Sequence, residues 1–153
     1  FKSKEEIYFA IIGEEMDLLS EKMNEVARQY MEPEDKLVEL IYTHLNLIKD
    51  AVRRNGNLRA EFFRNIIKVE QVRKNFDRNE VALFNIVLQE GIRSGRFDLD
   101  NTALCADIIH YCVKGLEIPY IYGRLAKGLP SGMSRGIVQR LIHRALSRPR
   151  TDY

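Results

Sequence analysis

Cysteine and histidine are scarce in this 153-residue chain: two cysteines, Cys105 and Cys112, and three histidines, His44, His110 and His143. The cysteines provide neither a disulfide framework nor a zinc signature, so they read as small buried thiols, and neither metal nor cofactor is expected. No apolar run reaches the roughly 20 residues of a membrane span, and no signal peptide opens the chain, which points to the cytoplasm and excludes a membrane partner. A nucleophile motif, a phosphate loop and paired carboxylates at a metal spacing are all missing, and the three histidines fall on different helices, so catalysis is not expected. The adjacent pairs Glu5-Glu6 and Glu14-Glu15 diverge by about 100° on a helix, as solvated faces do. No segment shows a convincing period of two, and there are no repeats or low-complexity stretches.

What is present is the make-up of one ordinary globular domain over residues 1–153, 45% hydrophobic and 30% charged. A net charge of +2 is too small to argue for nucleic acid. Acid dominates the first fifty residues, whereas Arg135, Arg140, Arg144, Arg148 and Arg150 make the last stretch basic, the usual pattern of a solvated helix face.

Helical periodicity runs almost throughout, and an all-α bundle of six helices, or slightly more, follows. Ser3 with Glu6 forms a capping box that opens the first helix, which runs to about Tyr30. Pro33 begins the second, ending near Arg53 before Asn55-Gly56-Asn57. A third spans about Leu58 to Asn75. Asp77 with Glu80 repeats the capping pattern and opens a fourth, closed by Gly95. Asp98 or Asp100 caps a fifth that ends near Pro119, and Ser131 or Ser134 caps a sixth that stops before Pro149.

The first helix carries one apolar stripe, Tyr8, Ile12, Met16, Leu19, Met23, Val26 and Tyr30, that must meet the core. Near its start a second apolar side, Ile7, Ile11 and Leu18, has nothing obvious to cover it. The fifth helix is apolar around most of its circumference, and only Asp107, His110, Lys114 and Glu117 form a polar strip. An arc about twice the ~100° that one packing partner needs implies burial on two sides. The sixth helix agrees, being apolar over about half its surface through Ile137, Val138, Leu141, Ile142, Ala145 and Leu146. A homodimer follows, in which the last two helices of each chain form a four-helix bundle through Leu104, Ile108, Tyr111, Gly115, Ile137, Leu141 and Ala145. The alternative is a monomer with both helices central, but two central helices among six would leave few to cover them.

Two stretches resemble the TetR family of transcriptional regulators. Phe1-Lys2-Ser3-Lys4-Glu5-Glu6-Ile7 is similar to the segment that leaves the recognition helix and starts the family's fourth helix. Glu90-Gly91-Ile92-Arg93-Ser94-Gly95-Arg96-Phe97 looks like its glycine-containing exit from the helix ahead of the dimerisation pair. The resemblance implies an effector-sensing and dimerisation domain of a repressor, with residues 1–12 beginning the helix that packs on a DNA-reading domain not contained in this chain. Operator DNA would be reached only through that domain, with Lys2 and Lys4 as phosphate contacts.

The resemblance further implies a small molecule held between central helices. On the second helix His44 falls in the middle of an apolar arc, and a buried imidazole must find a partner in a ligand, a water or another side chain. Met16, Met23, Phe62, Ile66, Phe84, Val87, Ile109 and Cys112 could gather around it, although such stripes are also plain core. The pocket would suit an apolar or aromatic effector. The alternative function is a helical small-molecule binding or carrier module that never touches DNA.

Overall fold

The computed structural model describes residues 2–55, 66–125 and 131–149, and of 66–68 and 131–132 the backbone alone. Five helices make up almost all of it: α1 (Lys4–Arg28), α2 (Pro33–Arg54), α3 (Ile66–Arg93), α4 (Thr102–Ile121) and α5 (Ser131–Leu146). The expected all-α class holds. Helix α2 is central, with α1, α3, α4 and α5 all packed against it, while α3 also meets α1 and α4.

Ser3 caps α1 as expected, its Oγ accepting the Glu6 N–H at 3.2 Å. Ile12, Met16, Leu19, Met23 and Val26 are buried at helical spacing. The helix ends at Arg28 and Gln29 turns extended, so Tyr30 lies beyond the stripe and is fully exposed, contrary to its expected place in it. Acid in the first turn of α2 (Glu34, Asp35) and base in its last (Arg53, Arg54) both oppose the helix dipole.

One expected boundary does not exist. Residues 58–65 of the expected third helix lie outside the described residues, but from Ile66 the chain runs unbroken through Asn75 and Asp77 to Arg93. Asp77 and Glu80 are therefore mid-helix and cap nothing. A continuous buried stripe explains this: Val69, Arg73, Phe76, Glu80, Leu83, Phe84, Val87 and Leu88 all face inward. Two of those positions, Arg73 and Glu80, are charged, which breaks the hydrophobic pattern without breaking the helix.

The exit from α3 is a tight turn around two glycines. Gly95 takes φ +75°, the left-handed conformation expected of it, and the N–H groups of Arg96 and Phe97 both donate to the Gly91 carbonyl, at 2.9 and 3.0 Å. Phe97 is thereby folded onto Gly91, where a Cβ would stand 2.0 Å from its ring. Gly91→Ala should cost about 1–3 kcal/mol through overpacking, read as a lower urea midpoint; an unchanged midpoint would show that the ring moves aside freely.

Asn101, not Asp98 or Asp100, caps α4, its side chain accepting the Leu104 N–H at 3.0 Å. Asp98 is engaged elsewhere, because its N–H donates to the Leu146 carbonyl at 3.0 Å and ties the turn to the end of α5. Pro119 lies inside α4, which continues to Ile121; so near the end, the missing N–H costs one bond and does not stop the helix. Ser134 is likewise inside α5, paired with the Tyr42 hydroxyl at 3.0 Å, while α5 does stop before Pro149.

Helix α5 is fastened to α2 chiefly by polar side chains. Beside the Tyr42–Ser134 pair, Arg135 meets Glu39, Gln139 donates to Asp35 at 3.0 Å, and His143 meets Glu34 at 2.7 Å. Only Leu146 of its described apolar residues is buried, and Val138 and Ile142 are half-buried.

Candidate functional site

The expected polar strip of α4 turns largely inward. His110 and Glu117 are buried, Lys114 is half-buried, and Asp107 alone is exposed. They meet the polar positions of α3 and the single histidine of α2 in a closed ring in which nitrogen-bearing and carboxylate side chains alternate. His44 donates from Nδ1 to Glu80 Oε2 and from Nε2 to Glu117 Oε2, the latter at 2.9 Å. Glu117 is gripped in turn by both terminal nitrogens of Arg73, at 2.7 and 2.9 Å, the bidentate geometry in which a guanidinium binds a carboxylate best. Arg73 Nη2 stands 3.9 Å from Asp77 Oδ1, Asp77 Oδ1 stands 3.8 Å from His110 Nε2, and His110 Nδ1 donates to Glu80 Oε1 at 2.7 Å, which closes the circuit. Lys114 extends it outward, bridging Asp77 and Glu70.

Burial alone would strip His44 of its proton, but the hydrogen bonds from Glu117 and Glu80, together with their charge, prevail and push its pKa from 6.5 up to about 9. Burial likewise raises Glu80 and Glu117. For Glu80 the hydrogen bonds of His110 and His44 outweigh it, and for Glu117 those of His44 and Arg73 with the guanidinium charge, so both carboxyls are held below their usual 4.5. The consequences for stability run in opposite directions. The raised His44 contributes fully below pH 6.5 and loses its contribution as pH climbs through about 9. The depressed glutamates contribute above pH 4.5 and lose their share as pH falls through their folded values. The urea midpoint should therefore peak between pH 4.5 and 6.5 and decline toward 9, by an amount on the order of 3 kcal/mol, a decline that His44→Gln should flatten. A midpoint that is level from pH 6.5 to 9 would show that the imidazole is neutral in the fold.

Beside the ring, α3 and α4 part to leave an open cleft of about 490 Å³. His110 and Asp77 reach it from the ring, Val81, Ala82 and Ala103 give it apolar wall, and Asp107 and Tyr111 stand at α4's outward side. Two buried acceptors, Asp77 Oδ1 and Asn85 Oδ1, have no hydrogen-bond partner among the described residues. Both belong to residues lining this cleft.

The other expected residues are spread between core and surface. Met16, Met23, Phe84 and Val87 share the core cluster, and Ile109 packs against it half-buried. The void touching Met16 is only about 30 Å³, enough for a water. Cys112 is exposed, apart from the rest and not the buried thiol expected. Phe62 lies outside the described residues, and so does the side chain of Ile66. On α4, Leu104 (55% exposed), Ile108 (54%) and Tyr111 (67%) are uncovered along with Gly115, and on α5 so are Ile137 (41%), Leu141 (63%) and Ala145. Ile7 and Leu18 are uncovered on α1, and Lys2 and Lys4 are exposed at its start.

Sequence reasoning found His44 but not its partners. The signal was there: Arg73, Asp77, Glu80 and His110, Lys114, Glu117 repeat the same i, i+4, i+7 spacing on two helices, with complementary charge. Among the described residues, no helix is long and apolar enough to cross a membrane, and no group of side chains could hold a metal ion.

Residues 15–126, from the middle of α1 to just past α4, match the protein family described as QacR-like protein, C-terminal region. Neither a curated protein nor a solved structure matches the chain.

Proposed function

Because the chain belongs to the QacR-like C-terminal regions of the TetR family, we propose that it is the effector-sensing and dimerisation part of a transcriptional repressor. The observation that carries this reading is the uncovered apolar face of α4 and α5. Leu104, Ile108, Tyr111 and Leu141 are each more than half exposed, large apolar side chains that a solitary subunit would leave in water. A second copy covers it, so that four helices meet about a twofold axis.

The effector site is the α3–α4 cleft. Its volume suits a drug-sized molecule, Val81, Ala82, Ala103 and Tyr111 suit an apolar or aromatic part of it, and the carboxylates and orphaned acceptors of the lining suit hydrogen-bond donors. His110 and Asp77 belong to both cleft and ring, so a ligand that displaces either disturbs the contacts that hold His44 on α2. Helix α1 packs on α2 and α3, and would move with them. Its uncovered Ile7 and Leu18 would rest on the DNA-reading head, with Lys2 and Lys4 toward phosphate. The response is a shift between two arrangements of the helices that the effector binds unequally.

In the full-length dimer, saturating effector should lower operator affinity roughly fivefold to hundredfold, a coupling of about 1–3 kcal/mol. Ala82→Trp, which fills the cleft, should abolish that response while the dimer persists. Equal operator affinity with and without bound effector would refute the sensing role.

A further inference from the structure

The apolar face of α4 and α5 has charges set into it. Arg140 and Arg144 are exposed on α5, one helical turn apart and alternating with Ile137 and Leu141. Helix α5 contains no carboxylate at all, and Asp107 is the sole carboxylate on the outward side of α4, since Glu117 is buried in the ring. Among the described residues, Asp107, Arg140 and Arg144 make no ion pair, whereas Lys114 on α4 and Arg135 and His143 on α5 do. A guanidinium pressed unpaired into an apolar interface is costly, so a second copy that covers this face must also supply its counter-charge.

The connection between α3 and α4 ties the two helices' ends together. Backbone bonds from Asp98 to Leu146 and from Arg148 to Arg96 hold the end of α5 at the turn that leads into α4. At about 1.5 Å per residue, Asp107 lies about 8 Å along α4 from Thr102, while Arg140 and Arg144 lie about 9 and 3 Å back from Leu146. A twofold axis running along the bundle preserves these heights and sets the α4 of one subunit opposite the α5 of the other. We propose that in the dimer Asp107 of each subunit pairs with the Arg140–Arg144 couple of its partner, two symmetric bridges that fix the register of the apolar helices. The inference rests on the dimer reading above and adds which charges face each other. Asp107 also lines the cleft, so a ligand there would touch one end of an inter-subunit bridge.

The test is a charge swap read by sedimentation equilibrium at low salt. Asp107→Lys sets a lysine against arginines, and Arg140→Glu/Arg144→Glu sets glutamates against an aspartate; each should weaken its homodimer about tenfold or more. All three residues are exposed in the subunit, so helicity by circular dichroism should not change. Mixed together, the two variants restore opposite charges at both bridges, and the heterodimer should be at least tenfold tighter than either homodimer. A heterodimer no tighter than the homodimers, with a dimeric wild type, would overturn the pairing and leave the dimer standing. A wild type that is monomeric at tens of micromolar would remove both.

Discussion

Glu117→Leu should destabilise the subunit by about 3–5 kcal/mol, which at roughly 2–4 °C per kcal/mol lowers Tm by about 6–20 °C. The leucine fits the apolar surroundings, but it leaves the Arg73 guanidinium without its bidentate partner and takes one of the two carboxylates from His44. Both groups are buried, so water does not take over, and an uncompensated interior charge is the expensive outcome of breaking such a pair. Replacing Arg73, His44, Glu80 and Glu117 together by apolar residues of similar volume should recover much of the loss, because the ring's own attraction is largely spent on desolvation. A Glu117→Leu loss below about 1 kcal/mol in urea unfolding would mean that the ring is not a structural unit.

Ile108→Asp should convert the dimer to a folded monomer, raising the dimer dissociation constant at least about a hundredfold, or ~2.7 kcal/mol. The side chain is 54% exposed in the subunit, so the aspartate costs the isolated fold little. The penalty falls on assembly, where the carboxylate would be desolvated among apolar neighbours and the packing volume of the isoleucine lost. Leu18→Asp is the control, since Leu18 is similarly exposed but on α1, away from this face. Sedimentation velocity separates the cases; an Ile108→Asp protein that remains dimeric would move the interface to another face.

The apolar stripes made the helices readable from sequence alone, because burial of one face imposes a 3.6-residue period that survives wherever the buried residues are apolar. Ile12, Met16, Leu19, Met23 and Val26 obey it, and so do the outward Leu104, Ile108 and Tyr111, whose excess over one core-facing arc is visible in the letters. The reading failed where burial and polarity coincide. Asp77 and Glu80 imitate a capping box, since the acid-x-x-Glu pattern is the same whether the carboxylates meet backbone N–H groups or a histidine from another helix. His110 and Glu117 read as part of a bare polar strip for the same reason. A pattern within one helix cannot tell a charge facing water from one facing an opposite charge on a neighbour; only the matching spacing on α3 and α4 carried that information. The cleft was not legible either, as it arises from the angle at which two helices part.

The attachment of α5 has a mechanical consequence. Of its pairings with α2, Tyr42 to Ser134 is part-buried, while Asp35 to Gln139 and Glu34 to His143 run through exposed groups that exchange partners with water readily. Close-packed hydrocarbon would hold it in one seat. In the proposed dimer α5 can therefore tilt on α2 about the end that Asp98 and Arg96 hold, while the ionic knot at His44 stays tied and neither subunit has to melt.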